Sequence, residues 1–176
     1  VEWRRDTETM FYTLRAAYEQ SAARAALLEE TGQLSDDGTR TTRSLGATLV
    51  RELDLRHSLS GSLDAKWSRY DFGRNPDNRL LSANLEASRA VATGEAWFVS
   101  GNVSRYTPDA GSLGLPAGFL PGSLQHGLML GYRSKPPGGA WSWMARAGVA
   151  SYDGPFSDTI AQGELTLGYE GLRWNV

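Results

Sequence analysis

Cysteine is absent from the 176 residues, which removes disulfide frameworks and thiolate metal sites together. Histidine is almost as scarce, with two copies. His57 falls in a tight turn and His126 on an apolar row, neither with a ligand partner at usable spacing, so no metal is expected. No run of about 18 apolar residues occurs, which excludes a membrane-spanning helix. A net charge of −2 gives no basic field, so nucleic acid is not an expected partner. Neither GxGxxG nor GxxxxGK is present, and no nucleophile elbow joins the serines and carboxylates. No catalytic residue and no cofactor is therefore expected.

What the chain has is alternation. Over 44–91, on one side of a turn at 54–58, Leu45, Ala47 and Leu49 alternate with Ser44, Gly46 and Thr48. On the other side Leu59, Gly61, Leu63, Ala65 and Trp67 alternate with Ser58, Ser60, Ser62, Asp64 and Lys66. A period of two, with one apolar and one small polar face, is a strand between two different surroundings. These runs reach about a dozen residues, where a soluble strand averages about 5–6.

The same unit recurs, predicting strands at 41–54, 58–71, 79–92, 96–107, 123–134, 140–152 and 159–169 or beyond. Residues 9–23 form an eighth, because Met10, Tyr12, Leu14, Ala16 and Tyr18 alternate unbroken with polar or small neighbours. A helix there is the alternative, since Ala and Leu run on to Glu30 and Gly32 could close it. Residues 1–8 read as a turn or the tail of a preceding strand. Connections at 54–58, 93–95 and 135–139 are short, while 29–40, 72–78, 108–122 and 153–158 are longer.

Two kinds of surface follow. The apolar rows include Trp97-Val99-Gly101-Val103, Leu124-His126-Leu128-Leu130-Tyr132 and Leu165-Leu167-Tyr169. They end in aromatics, with Trp97, Tyr132, Trp141, Trp143, Tyr169 and Trp174 toward the short turns and Trp67 and Tyr106 toward the long loops. Indole and phenol rings settle where apolar and wet surroundings meet. The opposing rows are rich in Ser, Gly, Asn and Thr, as in Ser100-Asn102-Ser104 and Gln125-Gly127-Met129. On that face Arg15, Glu19, Glu52, Asp64, Lys66, Glu86, Arg146 and Glu164 would project into a crowded hydrated lumen, where they pair or bind water, as a polar path or gate or as a salt-bridged plug in place of a packed core. Arg51 and Arg89 fall on the apolar row, close enough to short turns to snorkel. The expected fold is all-β, an antiparallel up-and-down transmembrane β-barrel of about eight strands, complete or part of a larger barrel. A soluble barrel binding a small apolar ligand is the rival.

The hairpins 44–70 and 81–106, each strand, short turn, strand and then an Asp/Asn/Pro loop, resemble the repeats of bacterial outer-membrane porins. They are also similar to the C-terminal barrels of exopolysaccharide-export proteins such as the cellulose-secretion subunit. The resemblance covers the chain from about Thr41 onward. It implies residence in the bacterial outer membrane, contact with outer-membrane lipid, and partners among other barrel-forming chains or periplasmic export components. It implies a porin-like conduit for a solute or an exported polymer, or else a narrow membrane anchor with external binding loops. Gly171-Leu172-Arg173-Trp174-Asn175-Val176 approximates the aromatic C-terminal insertion strand, but Val176 is not aromatic. Both ends therefore read as cut strands of a longer chain. Some outer-membrane barrels are lipid-modifying enzymes with a membrane-facing histidine. His126, followed by Gly127-Leu128, lacks the serine partner such a site needs.

Overall fold

The computed structural model of the protein describes residues 1–22, 38–71, 75–154 and 157–170. They form one antiparallel sheet of nine strands: β1 (Glu2–Asp6), β2 (Met10–Ala22), β3 (Thr39–Glu52), β4 (His57–Tyr70), β5 (Asp77–Ala92), β6 (Glu95–Asp109), β7 (Ser123–Ser134), β8 (Trp141–Asp153) and β9 (Asp158–Tyr169). Each strand pairs with the next in sequence, an up-and-down meander without a crossover. Among the described residues no pairing joins β1 to β9, so the sheet is open.

Residues 10–22 are a strand in full register with β3, from Met10 opposite Arg51 to Ala22 opposite Thr39. The alternation there outweighed helix propensity, because thirteen backbone pairs in a sheet exceed what one amphipathic helix without a packing partner gains. The remainder of the 9–28 helix alternative lies outside the described residues, as do most of the 29–40 loop and Trp174.

Two expectations need correction. The count is nine, because Glu2–Asp6 is a strand held by β2, with Trp3 opposite Leu14 and Asp6 opposite Phe11. Of the two readings of 1–8, a turn or the tail of a strand, the strand holds: five residues carry too little alternation to decide, and β2 supplies the template. The connection after β8 is also not long: it spans 154–157, shorter than 135–140 at the opposite end. The length asymmetry between the two ends therefore rests chiefly on 23–38 and 110–122.

The connections at 53–56 and 93–94 are tight. At 93–94 Gly94 takes a left-handed φ of 80° that other residues avoid. At 53–56 the Asp54 carboxylate accepts the backbone N–H of Arg56 at 2.7 Å and of His57 at 2.9 Å. That Asx turn satisfies amides the ladder has released. The 110–122 connection begins with a 3₁₀ turn at Ala110–Leu113, capped by Asp109. It packs onto β5, where the Asp77 N–H donates to Ser112 Oγ at 2.9 Å.

The sheet has no conventional core. Phe98, Ala110 and Ala150 are the buried apolar residues among those described, and no large side chain is wholly enclosed. Burial instead favours the polar face, which holds Thr13, Arg40, Thr42, Ser68, Phe98 and Ala150. Ser134, at the end of β7 beneath the outer aromatics, is the exception. The leucine rows point away from it and stand exposed. A soluble protein distributes burial the other way round.

The sheet is also curved around its polar face. A single cavity of about 580 Å³ is touched by Thr48 on β3, Glu86 on β5, Met129 on β7, Arg146 on β8 and Gln162 on β9. Seven strands laid flat would span roughly 29 Å at ~4.8 Å per step, too wide for one such cavity to reach both edges.

Candidate functional site

Register assigns every strand residue to a face. The chain of opposed residues Leu49, Gly61, Leu85, Gly101, Leu128, Val149 and Ala161 fixes the outer face from β3 to β9. The residues between them in sequence face inward. On that basis Arg15, Glu19, Glu52, Asp64, Lys66, Glu86, Arg146 and Glu164 share the inner, polar face.

They do not act as one cluster. Arg146 and Glu164 are directly opposed on β8 and β9, and Arg146 Nε donates to Glu164 Oε2 at 2.9 Å. Thr166 Oγ1 donates to the other carboxylate oxygen at 3.1 Å. Glu86 accepts from Arg133 Nη1 at 2.8 Å, across the intervening strand β6. Arg15, Asp64 and Lys66 line a separate cavity of about 330 Å³. There the Asp64 carboxylate lies over Gly46, where a Cβ would come within 2.7 Å of its oxygen. Glu19 and Glu52 stand exposed toward opposite ends of the sheet. Charge is thus spread along the groove, with two arginine–glutamate pairs, Arg133–Glu86 and Arg146–Glu164, among it.

Two inner residues escaped the sequence reading. Arg133 follows from the parity that places Gln125, Gly127 and Met129 inward, carried two more pairs along β7. Phe98 stands in line with Ser100 and Asn102, an aromatic in a polar row that composition alone does not flag. It is 2% exposed. Its ring covers Gly131, and the Arg133 guanidinium stands 5.4 Å from its centroid, within cation–π range. Glu86, Phe98 and Arg133 meet on the inner face near the short-connection end.

The aromatics Trp67, Trp97, Tyr132, Trp141, Trp143 and Tyr169 all lie on the outer face. Trp97 and Tyr132 meet edge to face with centroids 4.9 Å apart, Tyr132 continues to Trp143 at 5.3 Å, and Trp141 to Tyr169 at 4.8 Å. Tyr132 also donates to Glu95 at 2.6 Å. This belt runs across β6–β9 at one end, and Trp3 against Tyr12 at 5.2 Å sits toward the same end of β1–β2. Tyr106 is a correction. Its parity in β6, opposite Leu80, turns it to the inner face rather than to the outer rim.

The outer apolar band does not run straight across the strands. At the short-connection edge it ends at Leu49 on β3 and at Tyr169 on β9, roughly eight residues past Ala161, the position in line with Leu49. At the long-connection edge it begins at Leu45 on β3 and at Val149 on β8, roughly four residues from Asp153, the position in line with Leu45. Both edges drift in one direction, by about one residue per strand. With ~3.3 Å per residue and ~4.8 Å per strand, the band crosses the strands at about 35° from the perpendicular.

His126 faces outward and exposed, and no group of metal-ligating side chains occurs among the described residues. His57 Nδ1 lies 2.8 Å from the Asp54 carboxylate, in a turn remote from either cavity. Phe119, in the 110–122 connection, is exposed, while Leu113, Leu115 and Leu120 are half-buried. No helix among the described residues is long and apolar enough to cross a membrane, which has no bearing on strands. Comparison of the chain with protein-family models, curated proteins and solved structures gave no match.

Proposed function

We propose that the chain forms the wall of a bacterial outer-membrane β-barrel, with lipid against its apolar face and a hydrated conduit along its polar face. The observation that carries this reading is the tilted apolar band. Barrel strands must lean by about 35–45° for the sheet to close, so an apolar belt of constant height must cut obliquely across them. The drift of about one residue per strand corresponds to that lean. A soluble sheet packed on a partner has no need of a slanted belt edged with indoles.

The conduit reading draws on the inner face: Ser, Asn, Thr and Gly with charges among them, around a groove reached from β3 to β9. Nine strands in an open sheet fit a wall that further strands or further chains complete, and a wider lumen than eight strands enclose. The passing species would be polar, a solute or an exported polymer, since the inner face offers hydrogen bonds at nearly every row. Phe98 and the two arginine–glutamate pairs favour a second reading, a narrow filled barrel serving as an anchor.

Two measurements test these readings in turn. The purified protein should be monodisperse in detergent and aggregate on its removal, whereas a soluble ligand-binding barrel would stay monodisperse without it. Reconstituted in a planar bilayer, a conduit gives steady single-channel current. Its absence from correctly inserted protein rejects the conduit in favour of the anchor.

A further inference from the structure

The outer face of β3–β5 carries more than a uniform apolar belt. At its long-connection edge Tyr18, Arg43, Trp67, Arg79 and Thr107 are directly opposed on five successive strands. Arg43 and Arg79 thus flank Trp67, their backbones about 10 Å apart across two strand spacings. Arg69 stands one row nearer the loops, and all three arginines are exposed. None of the three forms an ion pair with a described residue. Of the nearest carboxylates on the loop side, Asp77 accepts from the Tyr70 backbone N–H at 2.9 Å and Asp109 from that of Gly111 at 3.0 Å. A depression of about 1250 Å³ adjoins Arg43, Trp67, Arg69 and Arg79.

Below this cationic rim, large and small residues alternate in both directions. Along β4 the outer residues are Ala65, Leu63, Gly61 and Leu59, and along β5 Leu81, Ala83, Leu85 and Ala87. Stepping back one strand and along two residues joins like with like. Leu81, Leu63 and Leu49 make one ridge, and Val103, Leu85 and Leu59 the next. Between them lies a trough of Ala83 and Gly61, opening at Arg105. On the other side Ala65 and Ala47 form a second trough, opening at Arg79.

These diagonals lean about 54° from the perpendicular to the strands, opposite in sense to the band's ~35°, so they run roughly at right angles to its edge. The troughs therefore descend straight into the apolar layer. From Arg79 to Ala47 is about 16 Å, close to one leaflet of a ~30 Å hydrocarbon layer. A cavity of about 730 Å³ is lined by Ala47, Gly61, Leu63 and Ala83 among others.

We propose that this surface is a binding site for one lipid whose phosphate groups give it a net negative charge. Arg43 and Arg79 hold the headgroup phosphate on either side of Trp67, and acyl chains lie in the Ala65–Ala47 and Ala83–Gly61 troughs. Guanidinium forks match phosphate oxygens in charge and geometry, and the indole suits the interface between headgroup and chain. The site lies at the end bearing the 110–122 connection, which on the barrel reading faces the cell exterior. The ligand is accordingly the phosphorylated glucosamine lipid of the outer leaflet, lipid A. The inference rests on the membrane reading above.

Native mass spectrometry of the full chain in neutral detergent tests it, with lipid A, phosphatidylglycerol and phosphatidylcholine as probes. One lipid A per chain should bind at least about tenfold more tightly than phosphatidylcholine, and more tightly than phosphatidylglycerol. Arg43→Ala with Arg79→Ala should abolish that preference without changing the thermal midpoint of the lipid-free protein. Ala65→Phe with Ala83→Phe, which fills the troughs and leaves the arginines, should weaken lipid A binding by a similar factor. Equal affinity for phosphatidylcholine, or indifference to either double substitution, overturns the site. Equal affinity for phosphatidylglycerol overturns the assignment to lipid A. A protein monodisperse without detergent would sink the membrane reading itself, a distinct outcome.

Discussion

Leu63 lies midway along the outer face of β4, four positions from Trp67 at one edge and four from Leu59 at the other. At ~3.3 Å per residue and a lean of ~35°, it sits about 11 Å from each, near the middle of the apolar layer. Its side chain is 62% exposed and touches no enclosing core. An arginine at the midplane of a membrane barrel costs about 2–4 kcal/mol, falling to about 0–1 kcal/mol at the interface. Leu63→Arg should therefore lower the folding equilibrium constant about 30- to 700-fold, and Leu59→Arg by far less. Urea unfolding of the protein folded into phospholipid vesicles reads both values. On a water-facing surface both substitutions fall within about 0.5 kcal/mol of the parent. A flat pair, with Leu63→Arg no costlier than Leu59→Arg, refutes the assignment of this face to lipid.

Other perturbations address the inner face and the turns. Gly131→Ala puts a methyl group into the space of the Phe98 ring and should cost about 1–3 kcal/mol. Phe98→Ala in the same chain should recover much of that loss, and a double-mutant cycle showing no coupling contradicts the packing. Arg133→Ala leaves Glu86 without its 2.8 Å partner. Reversal potentials in a planar bilayer should shift toward cations, with stability changed by only about 0–1 kcal/mol; Glu86→Gln should shift them the opposite way. Backbone N–H donation from Arg56, with further bonds from His57, holds the Asp54 carboxyl down at about 2, against an ordinary 3.8. Because the folded value is the depressed one, this turn contributes its stabilisation fully above the ordinary value and loses it as pH falls toward 2. Carboxyl NMR titration should place the Asp54 midpoint near 2, and a midpoint near 3.8 would show the turn to be open.

The local pattern of residues was enough to find the long strands and to separate their faces. Alternation between Leu59-Gly61-Leu63-Ala65-Trp67 and Ser58-Ser60-Ser62-Asp64-Lys66 is a property of one strand, and backbone pleating converts it directly into two surfaces. The ends of the 123–134 strand were visible for the same reason, because turn residues interrupt the period there. Two features depend on a neighbour. Residues 1–8 read equally as a turn or as the tail of a strand until β2 pairs with them, and Arg133 meets Glu86 across β6, separated by 47 positions in the chain.

Register was the decisive tertiary term. A strand's own sequence cannot say which residue of the next strand it will oppose, since every shift by two preserves the same faces. Only the assembled ladder reveals that the apolar band is slanted and that Arg43, Trp67 and Arg79 stand in line. The ladder likewise aligns the small residues of β3–β5 into troughs. The alternation of residues thus settled that this chain makes two-faced strands, whereas the hydrogen-bonded pairing settled where each face puts its charges, rings and grooves.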